Sequence, residues 1–349
     1  MRTEVLELNA ERNVTLTAYI QQNGGEFHYI TARPGIIILP GGAYHSCSER
    51  EADPVAFAFL KAGYQVFILR YSIQDKAVWP APLQDYEQAM DRILINAEKW
   101  GIDTKRIAVT GFSAGAHLAA CAATMSEHRP AAAILGYPAV IGEDIQTVNK
   151  TLPDVIHAVD GKTCPCFVFA TRDDHVVSIR NSIQFLGALE EQKISFESHI
   201  YAYGPHGFST ADPAAQGSEI QICSRAADWV EDSIAWLKDV MGTFSNQGMT
   251  EPVCKRTVTS EDDGPYLSVD CTIGHLMSVP QAGSIIDPII KQMREHGSRE
   301  NKERGEMAQT LGDQQKMISG MSLRGVLSYA GVTDEMLEQL NEKLQKIKQ

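Results

Sequence analysis

Between residues 35 and 240, short apolar runs alternate with longer segments whose apolar residues recur at helical spacing. The runs GIIILP (35–40) and YQVFILRYS (64–72) are strongly apolar, as is typical of strands buried on both faces. Segments 52–63 and 82–101 have helical periodicity and close on a glycine. Further strands are predicted at RIAVTGFS, AAAILGYP, CFVFATRDD and SFESHIYAY, and further helices at 181–192 and 221–242. This alternation predicts an α/β fold: a mostly parallel sheet with helices on both faces.

Both ends of this region carry additional predicted elements. The runs VTLTAYI (14–20) and EFHYITA (26–32) predict an antiparallel hairpin at one edge of the sheet. Near residue 242 the pattern changes to a linker-like stretch, GTFSNQGMTEP, and then to the amphipathic segments IGHLMSV, SIIDPIIKQM and EMLEQLNEKL. Thr333, followed by two acids, predicts a helix N-terminus. We therefore expect an α/β domain at 1–242 and a small, mainly helical extension at 243–349.

Composition narrows the classes of partner. The 349 residues carry a formal net charge of −13, and an acidic surface disfavours nucleic acid. The first residues contain no apolar signal-peptide core, and no run of about 18 apolar residues predicts a membrane span. The seven dispersed cysteines are then expected to be reduced thiols in a cytoplasmic protein. Short isolated helices are marginal in water, so the extension is expected to pack on its own core, on the first domain or on a second subunit.

A candidate nucleophile lies in Gly111-Phe112-Ser113-Ala114-Gly115, between a predicted strand and a predicted helix. The spacing G-x-S-x-G matches a nucleophile elbow, in which a sharp turn exposes the serine hydroxyl at the carboxyl end of a sheet. Taken by itself the motif is weak, because an ordinary glycine-lined turn has the same composition. Its position between strand and helix favours the elbow.

A nucleophilic serine needs a base, and the base needs an orienting acid. In this type of sheet the three follow in the order serine, acid, histidine. Asp173 and Asp174 follow the strand CFVFATR, and His206 follows the strand SFESHIYAY. Each position lies just past a strand's carboxyl end, where open α/β sheets bind their ligands. The order alone leaves both aspartates open as the acid.

The loop LPGGAY (39–44) is the predicted source of donors for a developing oxyanion. Glycines there allow backbone N–H groups to face a substrate carbonyl, so the expected donors are those of Gly42, Ala43 and Ala114. A phosphate-binding glycine loop is the alternative, but neither the GxGxxG spacing nor a P-loop lysine is present.

Other polar residues are expected to have structural roles. His117 lies on the apolar helix after Ser113 and is expected to be a core histidine with its hydrogen bonds satisfied. Asp173-Asp174-His175 has metal-ligand types, but three neighbours on one turn cannot easily face one ion, so no metal site is predicted. The stretch 48–51 is expected to be a solvated face.

In these residues the chain resembles the α/β-hydrolases, and more narrowly the carboxylesterases and acetyl-esterases of the endo-1,4-β-xylanase-associated type. The segments that carry the resemblance lie within roughly residues 35–240: PGGAYHSCSEREADPVAFAFLKAGYQVFILRYS, WPAPLQDYEQAM, WGIDTKRIAVTGFSAGAHLAA, DDHVVSIRNS and YGPHGFS. The resemblance implies Ser113 as the nucleophile and His206 as the base. It favours Asp174 as the acid, because the residues after Asp174 match those after the family's acid, with Asp173 as the alternative.

The resemblance implies a serine esterase that removes small acyl groups, with acetyl expected, from a sugar or another small alcohol, without a metal or organic cofactor. Ala43 and Ala116 depart from the family pattern, since relatives often carry glycine there, and a methyl group could narrow the acyl side. The short segment 139–163 predicts little lid and an open site. An amidase or formamidase on the same residues is one alternative, and a non-catalytic binding module is another.

Overall fold

The computed structural model describes residues 1–216, 221–291 and 318–348. Its main feature is an eight-stranded sheet. The strands are β1 (Arg2–Asn9), β2 (Val14–Ile20), β3 (Arg33–Leu39), β4 (Gln65–Arg70), β5 (Ile102–Phe112), β6 (Ala132–Gly136), β7 (Cys166–Thr171) and β8 (Phe196–Tyr201). They lie in the order β1-β2-β4-β3-β5-β6-β7-β8. The strands β1 and β2 pair antiparallel with each other and β2 pairs antiparallel with β4, whereas all later neighbours are parallel.

Helices cover the sheet on both faces. They are α1 (Asp53–Lys61), α2 (Ala81–Ile95), α3 (Ala97–Trp100), α4 (Ala114–Met125), α5 (Gly142–Val148), α6 (Arg180–Glu191) and α7 (Trp229–Met241). Along β3, Ile37 and Leu39 belong to one apolar core and Ile36 and Ile38 to the other. Because successive side chains of a strand point to opposite faces, this division places an apolar core on each side of β3. The predicted fold class is confirmed.

The predicted edge hairpin is half wrong. VTLTAYI forms β2 as expected, but residues 26–32 lie in a turn-rich segment and form no strand. The strand that pairs with β2 at this edge is β1, Arg2–Asn9. As an edge strand, β1 is largely exposed and mixes charged with apolar residues, so its sequence lacks the apolar run that marks the central strands. The predicted helix at 82–101 is also divided, ending first at Ile95 and then, with Gly101 at a φ of 60°, after Trp100.

The chain divides into two compact units, residues 1–258 and residues 259–349. Residues 243–258, expected in the extension, therefore fall within the first unit. Their backbone is tied to it by hydrogen bonds: the N–H groups of Val253 and Cys254 donate to the Asp239 carbonyl, and the N–H of Val258 donates to the Lys193 carbonyl. The predicted linker instead contains a small hairpin, Phe244–Ser245 paired with Gly248–Met249.

The described part of the second unit is mainly helical and has a core of its own. Its helices are Ile273–Ser278, Leu323–Tyr329 and Asp334–Leu344, and residues 280–291 are also helical. Thr333 caps the last helix by accepting the Met336 N–H, as its sequence predicted. Fifteen buried apolar residues form a separate cluster between Leu267 and Ile347. The last two residues of the predicted segment SIIDPIIKQM lie outside the described residues.

Candidate active site

Ser113 occupies a strained turn between β5 and α4. Its φ of 54° and ψ of −118° are unusual for a residue with a side chain. The turn leaves no room beside it: a Cβ on Gly111 would lie 2.2 Å from the Gly115 carbonyl oxygen, and one on Gly115 would lie 2.0 Å from that of Leu39. The Ser113 N–H donates to the Gly136 carbonyl at 2.9 Å. Both glycines of the motif are thus required by close backbone contacts.

Three predicted side chains are joined by hydrogen bonds at the carboxyl edge of the sheet. His206 Nε2 lies 2.8 Å from Ser113 Oγ, and His206 Nδ1 lies 2.6 Å from Asp174 Oδ2. Because β5, β7 and β8 are parallel, the loops that follow them all emerge at this edge and can bring the three residues together. The side chains of His206 and Asp174 are 14% and 2% exposed.

The two neighbouring aspartates have different partners. Asp174 Oδ1 accepts the N–H groups of Val176 and Val177, at 2.8 and 2.9 Å, so both oxygens of Asp174 are used. Asp173 instead accepts the N–H of Gly204 at 2.8 Å, in the loop that carries His206. The structure therefore brings Asp174, and not Asp173, to the histidine.

The environment of Asp174 favours its ionised form. Burial is the largest single effect and acts to raise the pKa of this carboxyl group, but the hydrogen bond to His206, the charge of His206 and the two backbone N–H groups outweigh it. The pKa of Asp174 therefore lies below its usual value. An ionised Asp174 can only accept, so His206 Nδ1 carries the proton and Nε2 is left to accept from Ser113 Oγ.

The loop after β3 has an unusual backbone. Gly42, Ala43 and Tyr44 all have positive φ, at 130°, 54° and 53°. A Cβ on Gly42 would lie 2.3 Å from the Ser46 carbonyl oxygen, so glycine is needed there. Among the described residues, the N–H groups of Gly42, Ala43 and Ala114 donate no hydrogen bond to another residue. These three N–H groups remain the predicted donors to an oxyanion.

His117 is a fully buried residue that packs under the same loop. Its Nδ1 lies 2.8 Å from the Tyr44 hydroxyl, and its Nε2 lies 3.0 Å from the Pro153 carbonyl oxygen. A carbonyl only accepts, so Nε2 carries the proton and Nδ1 accepts from Tyr44. Burial lowers the pKa of His117 to about 4. The expected core histidine thus connects the loop after β3 to segment 139–163.

Glu51 was expected on a solvated face, and that expectation is wrong. Its side chain is buried, with 3% of the residue exposed, and accepts hydrogen bonds from the Gly41 N–H and the Tyr137 hydroxyl. The surrounding charged residues Glu49 and Arg50 are exposed as expected. A single acid in a charged run has no pattern that distinguishes it from its neighbours, so the sequence offered no signal for this residue or for Tyr137.

Among the residues that the structure describes, metal-ligand side chains do not cluster around this site. Across residues 1–216, 221–291 and 318–348, no group of three or more His, Cys, Asp or Glu side chains is placed to hold a metal ion. Asp173 and Asp174 are both engaged as described. In the same part of the chain, no helix combines the length and the apolar character needed to cross a bilayer.

Comparison with known proteins identifies relatives of this chain. Residues 28–134 match the family described as BD-FAE. The structure of MGS-M1, an α/β-hydrolase enzyme from a Medee basin deep-sea metagenome library, is 36% identical with a TM-score of 0.64, and the match covers 69% of this chain and 98% of that one. Endo-1,4-β-xylanase B of Butyrivibrio fibrisolvens is 30% identical over 52% of this chain and 33% of its own length. Acetylxylan esterase of Xylanibacter ruminicola is 30% identical over 50% of this chain and 40% of its own length.

These similarities confirm the resemblance to xylanase-associated esterases. This chain matches about a third of the xylanase and two fifths of the acetylxylan esterase, whereas it covers 98% of MGS-M1. The sheet order, the serine turn after β5 and the near-complete match to MGS-M1 together show that the chain belongs to the α/β-hydrolase family.

Proposed function

We propose that this protein is a serine esterase that hydrolyses acetyl and other short acyl esters of a sugar or another small alcohol. The observation that carries the proposal is the hydrogen-bonded chain Ser113–His206–Asp174, formed at a strained turn. A neutral imidazole that accepts from a serine hydroxyl and donates to a carboxylate has the arrangement needed to activate that hydroxyl.

The proposed reaction proceeds through an acyl-enzyme. Ser113 Oγ attacks the ester carbonyl carbon while His206 Nε2 takes its proton, and ionised Asp174 stabilises the imidazolium. The oxyanion of the tetrahedral intermediate accepts from the N–H groups of Gly42, Ala43 and Ala114. His206 then protonates the leaving alcohol. A water molecule that gives its proton to His206 attacks the acyl-enzyme, and His206 passes that proton to Ser113 Oγ as the acid is released. Each step uses only groups of this chain and water.

The substrate class rests on the relatives. One is named acetylxylan esterase and another endo-1,4-β-xylanase B. Their names support an acetylated carbohydrate as the substrate. The acyl group would then be acetyl, which is transferred to Ser113 and released as acetate. The three unpaired backbone donors suit any ester carbonyl, so they support ester hydrolysis without selecting the alcohol.

We also propose a cytoplasmic location and self-association through residues 243–349, as the sequence led us to expect. The location is supported by the seven cysteines, all of which are free thiols. Self-association is supported by apolar side chains that stay exposed in the second unit, among them Tyr329 at 96% and Met336 at 59%.

The test is labelling and turnover with matched variants. A fluorophosphonate should label Ser113, as read by peptide mass spectrometry, and p-nitrophenyl acetate and acetylated xylo-oligosaccharides should be hydrolysed. Ser113→Ala and His206→Ala should each lower kcat by about 10⁴-fold or more, since these residues act as a unit. Ser126→Ala, at the other end of α4, is the control and should retain activity.

Normal turnover in Ser113→Ala would rule out the proposed mechanism. Faster turnover of an N-formyl or arylamide substrate than of p-nitrophenyl acetate would indicate an amidase. Failure of the wild-type protein to react with the fluorophosphonate would favour a non-catalytic binding module.

A further inference from the structure

A second buried carboxylate lies behind the candidate active site. Glu51 Oε2 accepts the N–H of Gly41 at 2.8 Å, and Glu51 Oε1 accepts the hydroxyl of Tyr137 at 2.6 Å. A Cβ on Gly41 would lie 2.6 Å from the Phe112 carbonyl oxygen and 2.7 Å from Glu51 Oε2, so the backbone contact requires a glycine here. Gly41 directly precedes the expected oxyanion donors Gly42 and Ala43. Glu51 therefore holds the base of that loop through a backbone hydrogen bond.

Tyr137 extends this contact to the loop that carries the histidine. It follows β6, is buried, and its hydroxyl accepts the N–H of Ser209 at 3.1 Å, three residues after His206. The Tyr137 ring also packs edge-on against the His206 ring, with centroids 5.0 Å apart. Glu51 and Tyr137 thus form one continuous connection between the loop after β3 and the loop after β8.

The charge of Glu51 is only partly compensated by its neighbours. Burial, the largest effect, raises the pKa of Glu51, while the hydrogen bonds from Tyr137 and Gly41 and the positive charges of His206 and Arg50 act to lower it. Glu51 also lies two residues before α1, at the helix end where a negative charge is favoured. The positive charge of protonated His206 favours the ionised form of Glu51, and an interaction between two charges is mutual.

The ionisable groups that face His206 come from three directions. Asp174 binds Nδ1 directly, and Tyr137 contributes a ring and a hydroxyl. On the side of Glu51, the exposed Arg50 donates to the Gly207 carbonyl at 3.0 Å and also to Gln216, so its positive charge partly opposes that of Glu51. Two carboxylates and one guanidinium therefore act on the imidazolium.

We propose that Glu51 is a positioning residue, acting with Tyr137, that keeps the oxyanion loop in register with His206 and stabilises the His206 imidazolium. The inference rests on the proposed esterase function. It assigns Glu51 a role that requires its charge and its two hydrogen bonds, and it assigns Tyr137 the link between the two loops. Neither residue touches the substrate.

The test compares three single variants and one double variant across a pH range from about 5 to 9, after a thermal melt has established folding. Glu51→Gln keeps the size and removes the charge, whereas Tyr137→Phe keeps the ring and removes the hydroxyl. Asp85→Asn is the matched control, because Asp85 is a fully buried carboxylate that binds Arg12 and the Ser72 N–H away from this network.

Glu51→Gln should lower kcat by roughly 10- to 100-fold with KM changed by less than about threefold, because misplaced donors affect the transition state more than binding. The acid limb of its kcat/KM profile should move to lower pH by on the order of half a unit, since a negative charge near protonated His206 is lost. Tyr137→Phe should lower kcat without moving that limb. The kcat of the double variant Glu51→Gln/Tyr137→Phe should be no more than about threefold below that of the less active of these two single variants.

Asp85→Asn should lower the melting temperature and leave the pH profile in place. A Glu51→Gln profile that coincides with that of the wild type would overturn the inference. An unchanged kcat in Tyr137→Phe would overturn it even if Glu51→Gln proves unable to fold. If the wild type itself has no Ser113-dependent turnover, the failure belongs to the proposed function instead.

Discussion

At the residue scale, the adjacent aspartates Asp173 and Asp174 have the same side chain but bind different partners. Asp174 points to His206 and is held by two N–H groups of its own turn, whereas Asp173 anchors the next loop through Gly204. Their side chains reach different partners from adjacent positions of the same turn. The distinction therefore depends on backbone geometry and not on residue type.

This difference predicts unequal effects of the two amide substitutions. Asp174→Asn should lower kcat by about 10⁴-fold, because an amide at this position favours the wrong tautomer of His206. The same substitution has an effect of this size in serine proteases. Asp173→Asn should cost far less, since only the Gly204 N–H loses a charged acceptor. Steady-state kinetics on p-nitrophenyl acetate measure both. A reversed order of the two effects would mean that Asp173 is the acid.

His117 predicts a pH dependence of stability rather than of chemistry. Its pKa falls from 6.5 to about 4 in the folded protein because it is buried. Below pH 6.5 the unfolded chain therefore binds the proton that the folded chain excludes, and stability decreases as the pH falls from 6.5 to 4. The shift corresponds to about 3 kcal/mol across that window.

Urea unfolding at several pH values measures this effect. His117→Gln should have a lower free energy of unfolding at pH 7 but a weaker dependence on pH between 6.5 and 4. His157→Gln, which removes an exposed histidine, serves as the control and should keep the wild-type slope. Equal slopes in the wild type and His117→Gln would contradict the assignment of a buried neutral imidazole.

At the scale of elements, parallel strand ends assemble the site and the segment between β6 and β7 borders it. That segment contains one short helix, α5 (Gly142–Val148), and a single turn at Ile156–Ala158. It is held to other segments by several hydrogen bonds, including those that Asn149 donates to the Ala77 carbonyl and His117 donates to the Pro153 carbonyl. A short and fastened segment provides little apolar surface for a long acyl chain.

We therefore expect acetyl esters to be preferred over longer ones. Each added methylene contributes about 0.8 kcal/mol to binding only if it is buried against apolar surface. This segment and the Ala43 methyl group leave little room for such burial. A series of p-nitrophenyl esters from acetate to octanoate, compared by kcat/KM, tests the expectation. An increase along the series would contradict it.

At the scale of the whole molecule, the two compact units have separate apolar cores. The boundary after Val258, rather than after Gly242, keeps with the first unit the hairpin whose Phe244 ring lies 5.8 Å from the Arg33 guanidinium. The Thr250 carbonyl also accepts a hydrogen bond from the Arg106 guanidinium, and the Thr250 hydroxyl accepts the Thr243 N–H within the hairpin segment. These contacts make residues 243–258 part of the α/β fold.

Two truncations follow from this boundary. A chain that ends at Val258 should remain reactive toward a fluorophosphonate at Ser113, and a chain that ends at Gly242 should react similarly but melt at a lower temperature. Light scattering should record a smaller oligomer for the chain that ends at Gly242, and for both chains if the contacts lie within residues 259–349. An unchanged oligomer in the chain that ends at Gly242 would rule out the proposed self-association through residues 243–349.

Much of the fold and of the candidate site could be predicted from the sequence alone. Buried parallel strands have continuous apolar runs, so β3 to β7 could be recognised, and the glycines around Ser113 are required by backbone contact. The order of serine, acid and histidine at strand ends follows from the fold. The edge strand β1 escaped detection because an exposed strand needs no apolar run.

Only the tertiary structure decided the rest. It brought Asp174, and not Asp173, into contact with His206, and it buried Glu51 between Gly41 and Tyr137, which are far apart in the chain. It also assigned residues 243–258 to the first unit. Hydrogen bonds of this kind join residues from distant segments, and burial depends on what packs above a side chain. Local periodicity contains neither quantity, because both arise only when the strands and loops are brought together.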